Sequence, residues 1–165
     1  MNLEWIELQE IDYPLVKEIY DYYVVNTTVT FATGTISLTE LKEAILIGHP
    51  KYKSFVINLN GAVCGYCYFS QYRKRAAYDR TAEVSVYLKP GLEGKGIGTQ
   101  TLEKMQKIAL QNGIAVLIGI ITAENERSVL LFEKCGFEKC AHFRKVGEKF
   151  NRLLDVVAYQ KILNE

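Results

Sequence analysis

The run Ile114-Ala115-Val116-Leu117-Ile118-Gly119-Ile120-Ile121 contains no polar side chain. It is far shorter than the ~18 residues that span a bilayer. β-Branched residues dominate it, and Gly113 stands just before it. These features read as a buried central strand with both faces covered. A strand of that kind belongs to an α/β protein, in which helices cover the sheet.

The remaining segments agree with that reading. Leu3–Leu8 alternates as a first strand. Asp12 suits a helix N-cap and Pro14 the first turn, ahead of an apolar face at Leu15, Ile19, Tyr22 and Tyr23. Asn26 to Gly34 is β-branched and polar and reads as a loop. Ser37 and Glu40 form a capping box for a second helix that Gly48 ends. Ser54–Leu59 and Ala62–Tyr72 flank Asn60-Gly61, a hairpin signal. Thr81–Leu88 is a strand, and Gly96–Asn112 a helix with Gly113 past its end. Asn125–Cys135 is helical up to Gly136, and Phe137–Val146 and Leu153–Ile162 are the last strands. The order is β-α-α-β-β-β-α-β-α-β-β. Residues 1–165 then form a single α/β domain with a mixed central sheet.

Charge narrows the function classes. Twenty Lys and Arg against nineteen Asp and Glu leave a net charge of +1. That excludes a general nucleic-acid footprint and a polybasic membrane surface. The start, Met1-Asn2-Leu3-Glu4-Trp5, carries an early acid and no basic segment, so it does not read as a signal peptide. A cytoplasmic protein is expected, with reduced cysteines. Cys64 and Cys67 form a C-x-x-C, but side chains three apart in a strand face opposite ways. With Cys135 and Cys140 they read as small buried residues, and no metal site is expected. His49 and His142 read as non-catalytic, and no G-x-S-x-G elbow exists for a hydrolase.

The stretch with chemistry in it runs from Val86-Tyr87-Leu88 through Lys89-Pro90-Gly91-Leu92-Glu93 to Gly94-Lys95-Gly96-Ile97-Gly98-Thr99. It is a strand, a glycine-rich turn and a helix start. Such a turn brings free N–H groups close to a phosphate. It is not a P-loop, because Gly96 is followed by Ile97 where Lys is required. It is not a dinucleotide fingerprint either, because Thr99 stands at the third glycine.

Glu93-Gly94-Lys95-Gly96-Ile97-Gly98 resembles the pyrophosphate loop of the GCN5-related N-acetyltransferases (GNAT), Q/R-x-x-G-x-G/A. Further blocks are similar to the phosphinothricin and methionine sulfoximine acetyltransferase group. They include Tyr20 to Phe31, Tyr72 to Tyr78, Thr81 to Leu88, Glu124 to Ser128, Phe132 to Phe137 and Val146 to Phe150. Together they span nearly the whole chain.

The resemblance implies a GNAT fold and acetyl-CoA as co-substrate, with no metal and no acyl-enzyme. Acetyl-CoA would lie between the splayed strands Val84–Leu88 and Ile114–Ile121. Backbone at Val86 and Leu88 would pair with pantetheine, and N–H groups of Glu93, Gly94, Lys95, Gly96, Ile97, Gly98 and Thr99 would hold the pyrophosphate. Asn125 and Ser128 would meet the pantetheine arm. Amides near Val86 and Tyr87 would polarise the thioester carbonyl. Glu83 would be the general base for the acceptor amine. Arg73 and Arg75 would orient an anionic end of the acceptor, with Phe31 and Tyr78 as apolar walls. Two residues depart from the family. Glu93 stands where Gln or Arg opens the loop, and its side chain is expected to turn outward. Phe132 replaces a Tyr or His near the leaving thiolate, which leaves Tyr87 as a candidate helper.

The implied enzyme is an N-acetyltransferase acting on the α-amine of a small amino acid or analogue, by direct transfer. L-Phosphinothricin and L-methionine sulfoximine are the reference acceptors, and a homodimer is expected. The alternatives are another amine (a polyamine, an aminoglycoside or a protein N-terminus) and a non-catalytic CoA-binding module.

Overall fold

In the computed structural model, which describes residues 1–164, the elements follow one another in the order expected. They are β1 (Leu3–Glu7), α1 (Tyr13–Asn26), α2 (Leu38–Ala44), β2 (Ser54–Leu59), β3 (Ala62–Gln71) and β4 (Thr81–Leu88). Then come α3 (Ile97–Gln111), β5 (Val116–Thr122), α4 (Glu126–Lys134), β6 (Glu138–Lys149) and β7 (Arg152–Ile162). Short 3-10 turns precede α1 and β4. The strands make one sheet in the order β1-β2-β3-β4-β5-β7-β6. Every neighbouring pair is antiparallel except β4 and β5, which α3 joins as a crossover.

Two apolar layers hold the sheet. On one face Leu102 and Met105 of α3 and Phe132 of α4 pack against Phe69, Val84, Leu117 and Ile121. Leu102 and Met105 are fully buried, each worth ~1.5–3 kcal/mol in water removal. On the other face Val16 and Ile19 of α1, with Leu41 and Ile45, cover Val56 and Tyr66. β5 is central, between β4 and β7, but only one of its faces is covered. Leu117 and Ile121 are buried while Ile120 is 44% exposed. The uniformly apolar run therefore does not report two covered faces; its outer row lines a cavity.

Other expectations need correction. Asp12 precedes α1 without capping it, because its carboxylate accepts the Gln9 N–H at 2.8 Å and closes the preceding turn. α2 ends at Ala44, ahead of Gly48, since Ile45 turns inward and is buried. Ser37 does cap α2, accepting from the Glu40 N–H at 3.1 Å. Cys64 and Cys67 do not lie on opposite faces. A register shift opposite Ile57 and Asn58 breaks the alternation of β3, and both thiols enter one apolar cluster. Cys140 is exposed and not buried.

Candidate active site

Pairing of β4 with β5 stops after Glu83 and Ile118. Beyond that point β4 runs on to Leu88 and β5 to Thr122 without touching, so the sheet opens as a wedge. The Lys89 N–H donates to the Cys64 carbonyl at 2.8 Å. Antiparallel pairing alternates from there along the β3–β4 register. Glu83, Ser85 and Tyr87 thus turn their backbone groups to β3, and Val84, Val86 and Leu88 turn theirs to the gap. The gap side is a row of unpaired backbone groups that can accept an extended amide chain as a strand. The Leu88 carbonyl is already taken by the Tyr23 hydroxyl, which leaves its N–H. Tyr87 lines the wedge with its side chain, but its amide belongs to β3. Of the two amides expected beside a thioester carbonyl, only that of Val86 faces the wedge.

At its outer end the wedge widens into a cleft of about 230 Å³. Its walls are Val86, Leu88 and Tyr23 on one side and Asn125, Ser128 and Leu131 on the other, with Glu93, Gly94, Ile97, Gly98 and Thr99 at the mouth. Gly91, Gly94 and Gly96 have φ of +90°, +75° and +80°. These left-handed conformations suit glycine and curl the loop into the start of α3. Lys95 is exposed on this loop. The Glu93 carboxylate stays at the rim, folding back to accept the Gly91 N–H at 3.0 Å, with Arg127 at 3.6 Å. Burial, helped by Glu93, pushes the Tyr23 hydroxyl up to about 12. Asn125 caps α4 by accepting the Ser128 N–H and donates its amide to the Ser128 hydroxyl.

Glu83 sits at the apex of the wedge, on the face opposite α3, where it borders a second cavity of about 470 Å³. Burial raises its carboxyl above the usual carboxylate range, and the positive charge of Arg73 partly opposes the rise. Arg73 lines the same cavity, its guanidinium 5.0 Å from the Tyr72 ring centroid. Arg75, Phe31 and Tyr78 do not line it. β3 ends at Gln71, so strand alternation does not extend to the two arginines. Arg75 precedes the 3-10 turn and is exposed, and Tyr78 packs edge-on against Tyr72. Phe31 covers Gly147, where a Cβ would come within 2.3 Å of its ring. The cavity floor is Ile118, Ile120, Val156, Ala158 and Phe143, with Cys140 at its side. These residues went unnoticed because their facing needs the β5–β7 and β6–β7 registers.

A third feature also escaped the sequence. Residues 27–31 form a strap over the C-terminal end of β5. The Thr28 carbonyl accepts from the Thr122 hydroxyl at 2.6 Å, and the Thr28 hydroxyl donates to Glu124. Glu124 is gripped by both guanidinium nitrogens of Arg152, at 2.9 and 3.0 Å. Those partners hold its carboxyl down at about 2. The Thr30 carbonyl accepts from the Lys149 ammonium at 2.8 Å. Lys149 is only 4% exposed, and burial lowers its pKa. Val29, between these ties, projects into the wedge.

Comparison with known proteins gives this geometry a family. Residues 7–137 match the acetyltransferase (GNAT) family. The L-methionine sulfoximine/L-methionine sulfone acetyltransferase of Salmonella typhimurium is 32% identical over 158 residues, covering 93% of this chain and 91% of that protein. The phosphinothricin N-acetyltransferase of Streptomyces coelicolor is 29% identical over 159 residues, covering 93% and 92%. A solved phosphinothricin acetyltransferase of Sinorhizobium meliloti, in complex with acetyl-CoA, superposes with a TM-score of 0.92 at 30% identity, over 100% of this chain and 90% of that one. With the splayed strands, the glycine loop and this likeness over nearly its full length, the chain belongs to the acetyltransferase (GNAT) family and is an N-acetyltransferase.

Proposed function

We propose that the protein transfers an acetyl group from acetyl-CoA to the α-amine of a small amino acid of the phosphinothricin or methionine sulfoximine type, directly in a ternary complex. The observation that carries this reading is the position of Glu83. It ends the paired part of β4, so its carboxylate stands where the co-substrate wedge meets a cavity that also holds Arg73. Acetyl-CoA, when bound, supplies a thioester as the activated acyl donor. The Val86 and Leu88 backbone would hold its pantetheine arm as an added strand, and the N–H groups of Glu93 to Thr99 its pyrophosphate.

The chemistry asked of the residues is modest. Glu83 accepts a proton from the acceptor's α-ammonium, which frees a lone pair on nitrogen. Its raised pKa makes it a better acceptor near neutral pH than an ordinary glutamate. The nitrogen forms a bond to the carbonyl carbon, and the Val86 N–H stabilises the oxygen as negative charge develops there. The carbon–sulfur bond then breaks and the thiolate leaves with the electron pair. The second proton on the nitrogen passes to the thiolate or to water, which leaves a neutral amide and a thiol or thiolate. A thiol of pKa ~8.5 needs little assistance. Phe132, buried against Phe137, has no proton to offer, and burial keeps the Tyr87 hydroxyl protonated far above neutrality. Arg73 orients the acceptor's anionic end and, as a cation, disfavours polyamines and aminoglycosides.

The reading extends to the whole molecule as one catalytic domain, working as a homodimer in the cytoplasm. Four free cysteines suit a reducing compartment, and among the described residues no helix is long and apolar enough to cross a membrane.

The test is thiol release from acetyl-CoA against phosphinothricin, methionine sulfoximine, methionine sulfone, proteinogenic amino acids, spermidine and an aminoglycoside. Release with the sulfoximine-type acids, lost in Glu83→Gln, supports the reading. Release with cationic amines alone overturns the role of Arg73. Silence across the panel, with CoA still raising the melting temperature, points to a CoA-binding module.

A further inference from the structure

Between the cofactor cleft and the acceptor cavity lies a third, smaller space of about 60 Å³. It shares Val29, Val86, Tyr87, Asn125 and Ser128 with the cleft and Ile120 with the acceptor cavity. It is therefore the throat through which the two communicate. We propose that this throat gauges the length of the transferred acyl group, with Phe132 as its rigid wall and Val29 as its adjustable one. The proposal rests on the function proposed above.

A chain laid along the Val86 and Leu88 backbone enters the throat with its acyl end. There it meets the apolar side chains of Val29, Val84, Ile120, Ile121 and Phe132, with Ser85, Asn125 and Ser128 as the polar part of the lining. Some 60 Å³ holds only a few water-sized groups, so two or three carbons fill it. Phe132 does not yield. It is 6% exposed, its ring crosses Phe137 at 4.8 Å, and it lies so close over Gly119 that a Cβ there would fall 2.2 Å from it. A tightly packed interior transmits such crowding instead of absorbing it. Val29 is held differently. Its backbone belongs to the strap, anchored at Thr28 and Thr30, so its side chain is aimed at the throat while lying outside the core. A longer acyl chain then has one way on, across the half-exposed Ile120 into the acceptor cavity, where it competes with the amine.

The experiment uses the full chain with acetyl-, propionyl-, butyryl- and hexanoyl-CoA. Calorimetric binding of the S-methyl-, S-propyl- and S-hexyl-CoA thioethers, which cannot transfer, runs beside it. A mismatched methylene in an apolar pocket costs about tenfold or more, so kcat/KM should fall at least about tenfold from propionyl to hexanoyl. S-hexyl-CoA should inhibit competitively against the acceptor, whereas S-methyl-CoA should not. Val29→Ala should raise the hexanoyl-to-acetyl ratio about tenfold, and Val29→Phe should lower the propionyl-to-acetyl ratio. Equal use of acetyl- and hexanoyl-CoA overturns the proposal. So do unchanged ratios in both variants while S-methyl-CoA still binds. Failure of every thioether to bind the unaltered protein overturns the function proposed above as well.

Discussion

Glu83 carries two opposed demands. In the proposed mechanism it must be ionised to take a proton, yet burial disfavours its charge, and the cation of Arg73 only partly repairs this. Glu83→Gln should lower kcat/KM by about 10²–10⁴ while leaving CoA binding in place. Arg73→Met removes the compensating charge. The acid limb of the kcat/KM profile should then move to higher pH, and the acceptor KM should rise; an unshifted limb would detach Arg73 from Glu83. The sign for stability follows from the same shift. The folded pKa of Glu83 lies above its unfolded value, so its favourable contribution is complete below the unfolded pKa and is lost as pH rises through the folded one. Glu83→Gln should melt above the parent at pH 8 and level with it near pH 4, as differential scanning at both values would show. Val86 and Leu88 share one orientation on β4 because strand alternation turns every second residue alike, whereas Glu83, of the other parity, was singled out by the resemblance alone. Arg75, Phe31 and Tyr78 stand outside the cavity that holds Arg73 and Glu83, in loops or a 3-10 turn where no strand or helix period orients them.

At the scale of elements, the strap and the β6–β7 turn act together. Lys149 and Arg152, at the two ends of that turn, hold Thr30 and, through Glu124, Thr28. Replacing Lys149 by Met removes the buried tie. We expect faster amide exchange at residues 28–30 and a higher acceptor KM, with the CoA affinity less affected; unchanged exchange would show that the strap stands without it. Glu124 gives a pH signature of its own. Its folded pKa is depressed to about 2, so its contribution exists above the unfolded value and disappears as pH falls toward that figure. Glu124→Gln should melt slightly below the parent at pH 7, and the gap should narrow below pH 4 and close only as pH falls to about 2. The strap read as a polar β-branched loop, and that was as far as local reasoning reached. Its partners lie 94 to 119 residues away.

Across the whole molecule, one surface stands out. Phe143, Val146, Phe150 and Leu153 on or beside the β6–β7 hairpin are all about half exposed or more. Phe143 also borders the acceptor cavity. An apolar rim of this kind is unusual on a monomer and supports the proposed homodimer. A second copy docked there would partly enclose the acceptor. Light scattering should give twice the chain mass, and Phe143→Ser with Leu153→Glu should halve it and raise the acceptor KM. A monomeric parent protein would remove the dimer from the reading.

The amino-acid sequence by itself determined the elements, their order, the glycine turn at the start of α3 and the strand that carries Glu83. All of these rest on residues within a few positions of one another, where periodicity, caps and turn chemistry act. Only the tertiary structure decided that β4 and β5 part after Glu83, that the bulge in β3 sends both Cys64 and Cys67 into one cluster, and that Arg73 and not Arg75 shares a cavity with Glu83. It alone decided, too, that one row of the apolar run Ile114 to Ile121 is left open to a ligand. Alternation settles which side of a strand a residue faces. Whether anything covers that side depends on segments brought together from far along the chain.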